Sequence, residues 1–359
     1  MKIGVPKETK NHEYRVALTP EGVRPLVNAG HAVLVENGAG AAVGYADTAY
    51  RAAGATLTDA AGVWAAELVV KVKEPQPDEV TRLHAGQVLF CYLHLAAAPL
   101  LARELMARGI TAIAYETVRD AGGRLPLLAP MSDIAGRLAP QMGALGLHKM
   151  HGGSGKLIGG LPGVAPAHVV VLGAGVVGLG AARIAVGLGA RVTLLDRQAD
   201  KLAHAENLFG ARVATRFSSP DAIADGLADA DVVVGAAQIP GRHAPRLIPL
   251  DLLRRMPQGA VLVDVAIDQG GVAETSRPTT HSDPFFVAEG VVHYCVTNMP
   301  GAVARTATEA LTHATLPYVL ALAERGLAAL DTDPGLQAGL HVHASRIAHP
   351  ELAADLGFS

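Results

Sequence analysis

"VVVLGAGVVGLG", residues 169–180, decides how this chain folds. A run of β-branched residues leads into it and a helical run leaves it. Gly173, Gly175 and Gly178 form G-x-G-x-x-G, and the following "RVTLLD" ends in Asp196, 18 residues past the third glycine. Strand, glycine turn, helix and a later acidic residue together make the dinucleotide-binding fingerprint. The first glycine permits the tight turn, the second lets backbone approach a pyrophosphate, and the third lets helix pack closely on strand. The helix N-terminus offers N–H groups and positive potential to phosphates. Asp196 would accept from the ribose hydroxyls and repel a 2′-phosphate, so NAD is expected over NADP. Arg197, next in sequence, pulls the other way, because a guanidinium fits phosphate in a fork.

The alternation extends in both directions. Downstream, "ARVATRF", "DVVVGAA", "AVLVDVAI" and "VVHYCV" read as strands, with helices near 176–188, 199–208 and 247–256. Upstream, "KIGVP", "HAVLVE", "LVVKVK", "QVLFCYLHL" and "ITAIAYETV" read as strands. Thr19 caps a helix that has Pro20 at its first position and Gly30 past its end. "PLLARELMARG" (99–109) is a further helix. Short apolar runs separated by helices are the pattern of parallel strands covered on both faces. Between the two series lies "SDIAGRLAPQMGALGLHKM" (132–150), a long helix with Ser132 as its N-cap and Pro140 as a kink. A glycine-rich loop follows at 151–166. "TATEALTHATLPYVLALAERG" (306–326) is another long helix, and the chain beyond 330 shows no clear period. The expected architecture is α/β: two doubly wound, Rossmann-like domains with a cleft between them, joined by long crossing helices. Residues 129–305 would bind the dinucleotide, and residues 1–128 plus 306–359 the substrate.

Composition narrows the function. The chain has 359 residues, enough for two domains of ordinary size. Charged residues are 18 % and the net charge is -3, with no basic stripe, so nucleic acid is not an expected partner. Aromatics are 4 %, too few for a base-stacking surface. The two cysteines, Cys91 and Cys295, lie far apart in apolar runs with no metal or redox spacing. Buried free thiols suit a reducing compartment. No apolar run reaches the ~20 residues a bilayer needs, and "MKIGVPKETK" has no signal core. A soluble, cytoplasmic protein with no membrane partner is expected.

In doubly wound folds ligands sit beyond the carboxyl ends of the strands. Four polar residues there suit chemistry beside a nicotinamide. Arg15, in "HEYRVALTP", can hold a carboxylate in two parallel hydrogen bonds, or be an ordinary solvated arginine. Lys73 ends "LVVKVK" with the same parity as Lys71; a lysine there can bind a carboxylate or polarise a carbonyl. His94 lies at the end of an apolar strand, either as a core histidine or as a group titrating near neutrality. Asp268 follows "AVLVDVAI", where a buried carboxylate needs partners, or serves a turn.

These stretches, together with "GVPKETKNHEYRVALTP", "VKVKEP", "YLHLA", "PLLAPMSDIAGRLA", "LVDVAIDQGG", "SRPTTH" and "HYCVTNMPGAVARTATEALTHATLPY", resemble the alanine dehydrogenase family over residues 1 to 325. The resemblance implies NAD-dependent oxidative deamination of L-alanine to pyruvate and ammonium, and the reverse. It implies that Arg15 and Lys73 bind the substrate carboxylate and carbonyl, that His94 is the acid–base group, and that Asp268 orients or deprotonates the water and the ammonia-derived group. Ser132, Val176, Val177, Asp196, Lys201, Ser218, Ala237, Gln238, Val265, Ala266, Ile267, Asp268, Arg277, Val296, Thr297, Asn298 and Met299 are its implied cofactor contacts, beside the three glycines. Deamination passes through an iminium and a carbinolamine, each step moving a proton, and histidine's ordinary pKa of ~6.5 suits it. Pocket shape around Tyr92, Leu128 and Met131 would set substrate size. The family likeness also implies a homohexamer. Two other functions fit the dinucleotide motif: the soluble nucleotide-binding component of a transhydrogenase, and a non-catalytic NAD sensor. The first should not need both His94 and Asp268, and the second could lose Lys73 or His94.

Overall fold

The computed structural model describes residues 1–237 and 243–357. The chain divides into two compact units, Met1–Met131 with Val303–Ser359, and Ser132–Ala302, so the second is inserted in the first. Strands β1 (Lys2–Val5), β2 (Ala32–Glu36), β3 (Thr56–Thr58), β4 (Leu68–Val70), β5 (Val88–Cys91) and β6 (Thr111–Ala114) belong to the first unit. The second holds β7 (His168–Leu172), β8 (Arg191–Asp196), β9 (Val213–Phe217), β10 (Val232–Gly235), β11 (Val261–Asp264), β12 (Phe285–Ala288) and β13 (Val291–Tyr294). The chain returns to the first unit with β14 (Leu340–His343) and β15 (Arg346–Ile347).

The first unit's sheet runs β15-β14-β6-β5-β4-β1-β2-β3. All pairs among β1 to β6 are parallel, while β14 is antiparallel to both β6 and β15. Every residue of β4, β5 and β6 is buried, as strands sandwiched between helices must be. Val69, Leu89, Cys91 and Ala112 pack with Trp64, Ala102 and Leu105 from the covering helices and with Val342 from the returning chain. The segment after Arg15 is pinned to the helix Ala304–Arg325. Val16 N–H donates to Thr308 Oγ1 at 3.2 Å, and Thr19 N–H to Thr312 Oγ1 at 3.1 Å. The sheet order reverses between β1 and β4, the switch point of a doubly wound fold.

The second unit's sheet runs β12-β13-β11-β10-β7-β8-β9, parallel except for β12 on β13. Its switch point lies between β7 and β10. Val170, Val233 and Leu262 pack there against Ile223, Leu227, Leu253 and Met256.

Several sequence expectations need correction. The long helix begins at Ala129, not at Ser132, which is inside its first turn. Ala129 N–H donates to Leu125 O, so a preceding turn already carries the chain into helix, and Pro130 fits the first turn where its missing N–H costs nothing. The helix runs through Pro140 to Gly146. The strand over 68–73 stops at Val70, and the strand over 87–95 stops at Cys91. The helix near 247–256 shrinks to Leu250–Leu253, because Ile248 is drawn into a bridge with Ala273. β3, β12 and the helix Pro220–Ala228, capped by Ser219, carry too short a signal to stand out. The tail beyond 330 adds β14 and β15 to the first sheet. Among the described residues no helix is long and apolar enough to cross a membrane.

Candidate active site

The glycine turn joins β7 to the helix Val176–Gly187. The three glycines differ in what surrounds them. Gly173 sits at φ 110°, and a Cβ there would lie 2.9 Å from Ala236 O and 3.0 Å from Ala237 N, on the neighbouring strand's end. At Gly178 a Cβ would lie 1.8 Å from Gly173 O, so only glycine lets the helix close on the turn. At Gly175 a Cβ would meet nothing within 4 Å. The fold itself does not need that glycine, and the space before the helix N-terminus stays open for a ligand. Val176, the first helical residue, is exposed although apolar, while Val177 packs inward. Gly136 approaches this helix start so closely that a Cβ would lie 2.2 Å from Val177 O. Ser132 stands one turn earlier on the same face of its helix.

Asp196 closes β8 beside the turn. Its Oδ2 accepts Ala174 N–H at 2.8 Å and its Oδ1 accepts Gln198 N–H at 2.9 Å. Lys201 Nζ stands 4.0 Å away. Arg197 is exposed. Ser218 N–H donates to Asp196 O at 3.0 Å. The other expected cofactor contacts also cluster at the carboxyl ends of parallel strands. Ala237 follows β10, Val265 to Asp268 follow β11, and Val296 to Met299 follow β13. Asn298 is held at φ 60°, and its carbonyl accepts from His281 Nε2 at 3.1 Å. Arg277 is exposed and lies over the Phe286 ring, 4.2 Å from its centroid. Gln238 lies outside the described residues.

Asp268 is not the buried carboxylate at the end of β11. It is exposed on the short turn Ile267–Gln269. The buried one is Asp264, which accepts Ala266 N–H, Val272 N–H and Ser276 Oγ–H at 3.1, 2.7 and 2.5 Å. Burial raises its pKa against the effect of those bonds. Asp264 thus ties down both ends of the loop that carries Asp268. Asp264 is the last residue of the strand itself, whereas polar residues at such sites are expected after strand ends.

In the first unit, Arg15, Lys73 and His94 lie far apart in sequence but follow β1, β4 and β5, three adjacent strands running the same way. Arg15 is not solvated; it is buried. Its Nε donates to Glu13 Oε1 at 2.6 Å, its Nη2 to Glu13 Oε2 at 2.5 Å and its Nη1 to Met131 Sδ at 3.1 Å. Burial works against the charged guanidinium, but Glu13 outweighs it and raises the pKa. The guanidinium fork therefore meets a carboxylate of its own chain, and Met131 stands directly beside it. Glu13 was legible only as the even-spaced neighbour of Arg15.

Lys71 and Lys73 separate sharply. Lys71 is fully buried, with Nζ 2.9 Å from Glu8 Oε2 and 3.2 Å from Glu79 Oε1. Burial opposes the ammonium, yet these two carboxylates hold its pKa above the ordinary lysine range. Lys73 is half-buried, and together with Lys10 it keeps the Glu74 carboxyl below its ordinary range against burial. His94 is exposed, three residues past β5, at φ 48°. Its ring stacks on Tyr92 at 5.9 Å and 8°. The Tyr92 hydroxyl donates to Leu127 O at 2.5 Å, and burial raises its pKa.

The family models of alanine dehydrogenase/PNT match both parts of the chain, the N-terminal domain over residues 4–135 and the C-terminal domain over 139–350. The alanine dehydrogenase of Halomonas elongata is 55% identical, covering 99% of this chain and 97% of its own. A solved L-alanine dehydrogenase superposes with a TM-score of 0.97 at 52% identity, over 99% of both chains. A transhydrogenase structure from Sinorhizobium meliloti shares the fold, with a TM-score of 0.85 at 24% identity, covering 97% of this chain and 100% of that one.

Proposed function

The chain belongs to the alanine dehydrogenase/PNT family, and on that premise we propose that it is an L-alanine dehydrogenase, converting L-alanine to pyruvate and ammonium with NAD, and the reverse. The observation that carries this is identity above one half over 99% of the chain. The transhydrogenase shares the architecture at an identity where only fold follows.

Bound NAD would supply the hydride acceptor and donor for the substrate α carbon. The open space at Gly175, before a helix of 12 residues, fits its pyrophosphate. Asp196 fits its ribose hydroxyls and opposes a 2′-phosphate. Ser132, Lys201, Ser218, Arg277 and the loops after β10, β11 and β13 complete the seat.

Arg15 and Lys73 fix the substrate carboxylate and carbonyl oxygen, each a cation placed beyond a strand end. His94, exposed and ring-stacked, moves the proton at the amino or carbonyl group of the substrate. Asp268, exposed on its short turn, orients the water that adds to the iminium and takes its proton. Residues 1–128 with 306–359 bind substrate, and residues 129–305 bind NAD. The family resemblance further supports a homohexamer in the cytoplasm.

The test is NADH formation from NAD and L-alanine at alkaline pH, with pyruvate, ammonium and NADH as the reverse assay. Alanine-dependent NADH formation is expected, and His94→Gln should lose about 10²–10⁴-fold in turnover while still binding NADH. NADH binding without any alanine-dependent turnover would leave an NAD sensor and refute the enzyme.

A further inference from the structure

β5 and β6 end in register, with Cys91 beside Ala114. Beyond that point the ladder stops, because the chain after Ala114 closes into the turn Tyr115–Thr117. A side chain replaces the missing backbone acceptor. Glu116 accepts His94 N–H at 2.6 Å through Oε1, and Leu93 N–H at 3.3 and 3.2 Å through Oε1 and Oε2. These bonds hold His94 at φ 48°, a left-handed conformation that a non-glycine residue keeps only when its surroundings impose it. The same Oε1 stands 4.0 Å from His94 Nδ1. The Glu116 side chain is 14% exposed and that of His94 46%, so the carboxylate is anchored while the ring reaches out.

We propose that Glu116 is a positioning residue for His94: it imposes the backbone turn that aims the imidazole. The proposal rests on His94 being the acid–base group. Other titratable groups near the pair come from separate elements. Tyr92 lies under the His94 ring. His341, from β14, interacts electrostatically with both Glu116 and His94; its Nε2 meets Thr117 Oγ1 at 3.0 Å and its ring lies 5.1 Å from that of His349. Burial pushes His341 down to about 4, so it stays neutral through the working range of a dehydrogenase assay.

The experiment is the pH profile of kcat/KM for L-alanine in wild type, Glu116→Gln, Glu116→Asp and His94→Gln, with NADH affinity measured alongside. Glu116→Gln keeps the reach and one acceptor oxygen for the two N–H groups, so its kcat should stay well above that of Glu116→Asp. Glu116→Asp cannot reach both N–H groups; its kcat should fall at least about tenfold with KM little changed, since a misplacement of about 1 Å can cost 10²-fold. NADH affinity should not change in either. A kcat in Glu116→Gln no higher than in Glu116→Asp, with His94→Gln inactive, overturns the proposal and leaves His94 standing. Full turnover and an intact acid limb in His94→Gln overturn the acid–base role itself. Should Glu116→Gln fail to fold, an undiminished kcat in Glu116→Asp overturns the proposal alone.

Discussion

Gly175→Ala separates what the glycine turn does for the fold from what it does for the cofactor. Gly175 has φ -80° and ψ -166°, extended backbone that alanine adopts without strain. The added Cβ would meet nothing within 4 Å, so the folded protein loses no contact and gains no clash. Alanine also has less freedom to lose in the unfolded chain, which is worth about 0.4–1 kcal/mol. Thermal stability should therefore stay level or rise slightly. On the proposed seat, the methyl group would occupy space that the pyrophosphate needs. Forcing a methyl-sized group into a filled contact costs about 1–3 kcal/mol, or roughly a 5- to 150-fold weaker Kd by affinity arithmetic. NADH fluorescence titration measures the loss, and a thermal melt of the same sample supplies the control. Gly178→Ala is the opposite case. Its Cβ would lie 1.8 Å from Gly173 O, so the helix must move and stability must fall with binding. If Gly175→Ala bound NADH within twofold of wild type, the backbone at Gly175 would not be where the pyrophosphate sits. A large drop in its melting temperature would refute the open space.

On the proposed seat, with Asp196 at the ribose and Arg197 exposed, NAD should be preferred over NADP at least ~100-fold in kcat/KM, about 2.7 kcal/mol. Comparable values would mean that Arg197 turns to the 2′-phosphate, and Arg197→Ile should then abolish the NADP activity. Lys71→Met should cost about 3–5 kcal/mol, read from urea unfolding, because it strands the buried Glu8 and Glu79 without their cation. Adding Glu8→Gln and Glu79→Gln should restore most of that loss; a triple variant as unstable as the single would show that shape and not charge is at stake. The buried His341 titrates near 4 when folded and near 6.5 when unfolded, so the unfolded chain binds the extra proton between those values. Its contribution is complete above pH 6.5 and is lost toward pH 4, by at most about 1.4 kcal/mol per pH unit. His341→Gln should flatten the acid side of the stability profile; an unchanged slope would assign the loss to His168 and His293, whose pKa values burial also lowers.

The glycine turn of the candidate cofactor seat was legible in the linear chain because its parts are local. A strand, three glycines and a helix N-terminus follow one another within 169–187, and the acidic residue ends the next strand. Backbone conformation and close packing dictate those residue types, so they can be read without knowing the rest. The two-series α/β class was legible for the same reason, since each strand and helix carries its own period. Arg15, Lys73 and His94 could be nominated by type and position, but nothing local says that β1, β4 and β5 are neighbours. That is decided by the order of strands in the sheet. Lys71 and Lys73 look alike in "VKVKEP", and only packing sends one into a buried acidic pair and leaves the other half-exposed. Likewise the sequence nominated Asp268 as the buried carboxylate, whereas the strand's end at Asp264 places burial there instead. Glu13 and Glu116 were invisible in that search because their partners are defined by folding: a guanidinium drawn inside beside one, and two N–H groups left over where a parallel ladder ends beside the other. Local steric and conformational demands are written in the order of residues. The desolvation and pairing of charges depend on which elements meet, and that is a property of the folded chain.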